Sequence, residues 1–125
     1  MLTFGSLFAG CGGMDLGFER AGWKCAWQVE IDNHANAVLQ KHWPTVRRWS
    51  DARTFPGPGK WGCTAIIGGD PCQENSRARL GNSTSQPSLG GEFIRIVDEL
   101  RPRIVVRENP SKTRIDAPWP WYRFR

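Results

Sequence analysis

The stretch Leu2-Thr3-Phe4-Gly5-Ser6-Leu7-Phe8, closed by Ala9-Gly10-Cys11-Gly12-Gly13, decides the fold. A short apolar run entering a cluster of glycines reads as a buried strand that ends in a tight turn. Met14 to Ala21 then has the pattern of a short helix, stopped by Gly22. A strand, glycine turn and helix in this order leave free N–H donors at the helix start and let a ligand approach the main chain. Glu30 closes the next apolar run, Trp23 to Glu30, 20 residues after Gly10. Nucleotide-binding α/β folds place there the acid that accepts from ribose hydroxyls. The pairing points to an adenosine-containing cofactor, with a structural glycine turn as the alternative. It does not choose between nicotinamide and S-adenosylmethionine.

The rest of the chain continues the alternation. Asn33 to Trp43 carries Ala35, Val38, Leu39 and Trp43 at helical spacing, and Pro44 ends it. A weak strand is expected near 45–50, a Pro- and Gly-rich loop over 54–62, and a short buried strand from Ala65 to Ile67. Residues 70–90 show no periodicity and read as a long polar loop, a kind that is usually functional or mobile. Glu92 to Leu100 puts Phe93, Ile94, Val97 and Leu100 on one helical face, and Pro102 breaks it. Ile104 to Val106 is another buried strand, and Asp116 would cap a further helix from Ala117. The fold class is therefore α/β, a parallel sheet with helices on both faces.

Two further groups of residues stand where open α/β sheets bind ligands, beyond the carboxyl ends of strands. Gly68-Gly69-Asp70-Pro71-Cys72-Gln73 follows one buried strand. Pro71 fixes its own backbone and restricts Asp70, so Cys72 is held in place. An isolated Cys is most often a small buried hydrophobe, but at a strand mouth beside a polar loop it also fits a nucleophile. Glu108-Asn109-Pro110 follows the next strand. If the strands are neighbours, Cys72 and Glu108 share a rim, an acid beside a nucleophile; the alternative is a solvated Glu.

Composition narrows the partners. The net charge is +5, yet residues 1–100 carry ten basic and ten acidic side chains, so the excess lies in residues 101–125. A basic end fits either a polyanionic partner or a solvated terminus. Four cysteines at irregular gaps, with no C-x-x-C, give no zinc pattern, so no metal is expected. No window approaches a membrane helix and the N-terminus lacks a basic leader, so no membrane role is expected, and free thiols in a reducing cytoplasm are the default. Cys25 and Cys63 are read as packing residues and Cys11 as a small filler.

The segments LFAGCGGMDLGFERAG, VEID, SDAR, GGDPCQENSRAR and IVDELRPRIVVRENP cover almost the whole chain. As an ordered set they resemble the cytosine carbon-5 DNA methyltransferases. GGDPCQENSRAR, ENPS and DAPWPWYRFR look most like the phage and prophage-type members. The resemblance implies a Rossmann-like methyltransferase fold, S-adenosyl-L-methionine as cofactor, DNA with a target cytosine as partner, and a place in the cytoplasm of a bacterial or phage-infected cell. Cys72 would be the nucleophile that adds to carbon 6 of a flipped cytosine, and Glu108 would hydrogen-bond its ring nitrogen 3 and amino group. Phe8, Ala9, Gly10, Gly12 and Gly13 would line the cofactor, Glu30 would take its ribose, and Asp51 its adenine amino group, with Ile31, Pro71 and Leu89 as further cofactor contacts. Gln73, Ser76, Arg77, Arg79 and Asn109 would face nucleic acid.

The departures from the family pattern carry their own expectations. Asp70 stands where many members have an apolar residue or Pro, and Pro110 where Val is commoner. The target-recognition region and later motifs are absent from residues 1–125, so the sheet is expected to stop after its fifth strand as a partial methyltransferase domain. A separate chain would then supply target recognition. Two alternatives are an inactive cofactor-binding remnant and a methyltransferase acting on RNA. The last strand would be an apolar edge prone to self-association.

Overall fold

The computed structural model describes residues 1–70 and 89–109. Five strands, β1 (Thr3–Leu7), β2 (Lys24–Val29), β3 (Arg47–Trp49), β4 (Ala65–Gly69) and β5 (Ile104–Glu108), form one sheet in the order β3-β2-β1-β4-β5. Every neighbouring pair is parallel. Among the described residues the helices are α1 (Gly13–Arg20), α2 (Asn33–His42) and α3 (Leu89–Leu100), with a 3₁₀ turn at Ala52–Thr54. The strand order reverses direction at β1 and β4, which makes the crevice above their carboxyl ends a topological switch point.

The sheet has an apolar layer on each face. On one, α1 and α2 bring Met14, Phe18, Leu39 and Trp43 against Phe4, Cys25, Ala65 and Ile67. On the other, Phe93, Ile96 and Val97 of α3 pack with Leu7, Trp27, Val29, Ile66 and the side chains of Ala52, Phe55 and Trp61. Cys25 and Trp27 have the same parity along β2 yet lie on opposite faces. The register explains it: Phe4 pairs with Cys25 but Gly5 with Trp27, so Ala26 is an extra residue, a bulge that turns the strand over. The Trp27 indole can cross Gly5 because no Cβ stands there, and its Nε1 donates to the Trp61 carbonyl at 2.8 Å.

The predicted elements are present, with shifted ends. The weak strand near 45–50 is the three-residue β3. α3 begins at Leu89, three residues before Glu92, so the helix takes in the end of the polar stretch. β4 runs on through Gly68 and Gly69, and β5 through Arg107 and Glu108, so Glu108 is the last residue of a strand and does not follow it. β5 is the outermost strand among the described residues, with Ile104 and Val106 exposed. The helix expected from Ala117 falls outside the described residues.

Candidate active site

The turn after β1 is built on left-handed backbone. Phe8, Gly10 and Gly12 have φ of 53°, 58° and 85°. For Phe8 this is an unfavourable region, held at the site by its surroundings. Gly10 and Gly12 do different work. The space beside the Gly10 Cα is open, whereas a Cβ on Gly12 would lie 2.5 Å from the Trp43 ring, so Gly12 lets the turn rest on the end of α2.

Glu30 follows β2 and is the anchor of the site. Its Oε1 accepts from the Gly10 amide at 2.8 Å and its Oε2 from the Asp32 amide at 2.8 Å. Two fixed donors hold the carboxylate still while each oxygen keeps a lone pair for a ligand. Asp32 caps α2 by accepting from the Ala35 amide at 3.0 Å, so the same segment starts the helix and orients the acid.

Asp51 follows β3. It caps the 3₁₀ turn through the Arg53 amide, and the Arg53 guanidinium forks onto both of its oxygens at 2.8 to 3.2 Å. That guanidinium holds the Asp51 carboxyl below the usual carboxylate range.

A cavity of about 350 Å³ opens at the carboxyl ends of β1 to β4, lined by Phe8, Glu30, Ile31, Asp51, Gly69 and Leu89 among others. Its size is that of a small-molecule site. Phe8, Ile31 and Leu89 offer apolar walls, and Ile31 is 61% exposed. Two carboxylates stand among these walls. This is an acceptor set suited to a flat, amino-bearing ring joined to a polyhydroxyl sugar. Ser50, Ala52 and Arg53 also line the cavity and were not singled out in the sequence. Their sequence signal is their place beside Asp51 in the segment SDAR, one of those that carry the family resemblance.

At the far rim, Gly69 pairs in register with Glu108. The Cβ that Gly69 lacks would stand 2.8 Å from Oε2 of Glu108, so one glycine forms the cavity wall and touches the Glu108 carboxyl. The structure thus gathers Phe8, Glu30, Ile31, Asp51 and Leu89 around the cavity and sets Glu108 against its wall. Ala9 and Gly10 sit in the adjoining turn, the Ala9 amide donating to the Val29 carbonyl at 3.1 Å. Gly13 begins α1, and Asn109 lies beside Asp70. Pro71, Cys72, Gln73, Ser76, Arg77 and Arg79 lie outside the described residues. Among the described cysteines, Cys25 and Cys63 are buried or half-buried, and desolvation drives both thiols up, Cys63 to about 11.

Residues 2–113 match the sequence pattern of the C-5 cytosine-specific DNA methylases. The chain belongs to this family. It is 37% identical over 107 residues to the type II methyltransferase M.Eco47II of Escherichia coli, and 34% identical over 113 residues to M.NgoFVII of Neisseria gonorrhoeae. These matches cover 82% and 83% of this chain but 26% and 29% of the relatives, so the chain spans between a quarter and a third of their length. A protein named as a DNA modification methyltransferase encoded within an E. coli prophage superposes with a TM-score of 0.70 at 30% identity, over 87% of this chain and 32% of that one. The Dnmt2 methyltransferase of S. pombe shares the fold at a TM-score of 0.67 and 16% identity, over 90% of this chain and 37% of its own.

Proposed function

We propose that this chain is the cofactor- and nucleophile-bearing part of a DNA (cytosine-5-)-methyltransferase that uses S-adenosyl-L-methionine. The observation that carries this is the double role of Gly69, which lines the cavity and lies against the Glu108 carboxyl. A cofactor in the cavity and a base at Glu108 would meet across one residue.

The cavity fits the cofactor on its own chemistry. Glu30 has free lone pairs for ribose hydroxyls, Asp51 is an acceptor that would share its Arg53-held carboxylate with an exocyclic amino group, and Phe8, Ile31 and Leu89 offer apolar surface to the faces of the adenine. When bound, S-adenosylmethionine supplies an electrophilic methyl group on a sulfonium centre. Carbon 5 of cytosine is a poor nucleophile and needs activation. The Cys72 thiolate adds to carbon 6 of the flipped base, forming a C–S bond and moving electron density to carbon 5. A proton shared between the Glu108 carboxyl and ring nitrogen 3, with the same carboxyl accepting from the amino group, favours that addition. Carbon 5 would take the methyl group as the methyl–sulfonium bond breaks and S-adenosylhomocysteine leaves; loss of the carbon-5 proton to a base would then break the carbon 6–sulfur bond, expel the Cys72 thiolate and restore the ring. Cys25 and Cys63 do not suit the nucleophile's role, because burial disfavours their thiolates.

Gln73, Ser76, Arg77, Arg79 and Asn109 are assigned to the nucleic acid, and target recognition to sequence beyond these 125 residues, in the same polypeptide or a partner chain. The test is covalent trapping on a duplex bearing 5-fluorocytosine, where the fluorine cannot be removed as the proton is. The unsubstituted protein with cofactor, alone and with the product of the adjoining reading frame, should form an adduct that Cys72→Ala abolishes. Adduct formation on a fluorinated RNA and not on DNA would reassign the substrate. No adduct on either, under any of these conditions, would overturn the enzymatic reading.

A further inference from the structure

Asp70 follows β4 and Arg107 lies in β5, and the two are joined as a fork. Arg107 Nε donates to Oδ1 of Asp70 at 2.7 Å and Nη2 to Oδ2 at 2.8 Å. The guanidinium also lies over the Phe93 ring, 5.4 Å from its centre, so α3 fixes its plane from the other side. Asn109 Nδ2 reaches the same Asp70, at 3.4 Å from Oδ2 and 3.5 Å from its carbonyl. Asp70 is 6% exposed. The two residues that flank Glu108 are therefore both directed onto one buried carboxylate. Side chains alternate along a strand, so Glu108 projects to the opposite face from Arg107, where its carboxyl meets Gly69.

We propose that Asp70 and Arg107 are a positioning pair that fixes Glu108 in relation to the start of the segment bearing Cys72. The proposal rests on the methyltransferase reading above. In sequence Asp70 stands two residues before Cys72, with the rigid Pro71 between. The β4–β5 ladder is already held by five registered pairs from Ala65 to Gly69, and by Ile66 and Val105 packed in the α3 layer. A buried ion pair is a weak source of net stability even where it fixes geometry well. Its planar two-point contact sets rotation as well as distance, which a single charge contact does not.

The experiment uses the full chain with cofactor, the fluorinated duplex and any partner that supports trapping. Asp70→Asn keeps the shape and removes the charge; Arg107→Lys keeps the charge and removes the fork. A displacement on the scale of an ångström costs up to about 100-fold in rate. Asp70→Asn should slow adduct formation at saturating ligands by about that factor, and Arg107→Lys by about 10-fold. Cofactor affinity, read by calorimetry, should stay within about two-fold for both, because neither residue lines the cavity. Hydrogen exchange should quicken in residues 104–109 and stay unchanged in 3–7. Wild-type trapping rates per folded molecule in both variants, or unchanged exchange in β5, would overturn the positioning role alone. Absence of any adduct from the unsubstituted protein would overturn it together with the methyltransferase reading.

Discussion

The Gly10 amide and the Glu30 carboxylate, 20 residues apart in sequence, are bonded at 2.8 Å. The glycine turn and the acid after β2 are thus one device, in which the turn that frees backbone for a ligand also fixes its acceptor. A second amide, from Asp32, completes the hold. Glu30→Ala should therefore weaken S-adenosylmethionine binding in two ways, by removing the acceptor and by releasing the turn. Hydrogen bonds to charged groups contribute about 1.5–3 kcal/mol each, so a loss of about 10- to 100-fold in affinity is expected by calorimetry. Affinity within about two-fold of the original would contradict the role assigned to Glu30.

Gly68 and Gly69 are adjacent, yet their substitution by Ala should fail differently. A Cβ on Gly68 would collide with the Leu7 carbonyl, main chain of the central strand, which cannot move without opening the β1–β4 ladder. Overpacking of this kind costs about 1–3 kcal/mol or more, and Gly68→Ala should lower Tm by several degrees. A Cβ on Gly69 meets first the end of the Glu108 side chain, at 2.8 Å, which can swing away. Gly69→Ala should melt close to the original protein but trap fluorinated DNA at least about 10-fold more slowly. Equal loss of stability in the two variants would refute the distinction.

Strand–helix alternation and the glycine turn were legible because each is a local pattern. Right-handed crossovers narrow the topologies that such alternation allows but do not select the order β3-β2-β1-β4-β5, which the structure supplies. The turnover of β2 at Ala26 was not legible, since a parallel bulge depends on which residue of the partner strand it faces. The site divides in the same way. Glu30 and Glu108 stood out by their places at the carboxyl ends of strands. Arg53 on Asp51 and Arg107 on Asp70 did not, because long basic side chains reach partners that sequence spacing cannot identify. Asp70 drew notice as part of the strand-mouth segment and as a departure from the family pattern, but not for a partner; the fork from Arg107 gives that departure a physical reason.

Thiol chemistry separates the cysteines. Burial, reinforced by the nearby acids Asp15 and Glu19, pushes the Cys25 thiol well up, and burial pushes Cys63 up to about 11. Alkylation of the native protein with iodoacetamide near pH 8 should leave both unmodified, while exposed Cys11 and the proposed nucleophile Cys72 react. Peptide mapping by mass spectrometry reads the result. Rapid labelling of Cys25 would mean that the layer under α2 opens readily.

The outer strand of the described sheet makes a prediction about association. Ile104 and Val106 project from β5 at 40% and 37% exposure. Apolar side chains along an outermost strand invite pairing with another chain, and a lysine there opposes it. A preparation of residues 1–125 should self-associate with rising concentration, and Val106→Lys should shift it toward monomer in sedimentation or light scattering. A cleanly monomeric, cooperatively melting original chain would refute the prediction.

Two buried carboxyls set opposite pH trends. Asp15, in the first turn of α1, is fully buried and accepts from Ser6 Oγ at 2.7 Å and Gln28 Nε2 at 2.8 Å. Desolvation outweighs these bonds and raises its pKa. The folded state then holds a proton that the unfolded chain has released, so stability falls as pH rises from about 4 through the raised value. At Asp70 burial pushes upward too, but the Arg107 fork prevails and the pKa is lowered. Its contribution is complete above about pH 4 and is lost as pH falls through the lowered value. Stability should therefore peak in mild acid. Asp15→Asn should raise Tm at pH 7 and not at pH 4, since an amide can donate to the Ser6 hydroxyl and accept from Gln28 without carrying a buried charge. Thermal melts of both proteins across this range decide it: an Asn variant less stable at pH 7 would show that the charge itself holds the Ser6–Asp15–Gln28 cluster together.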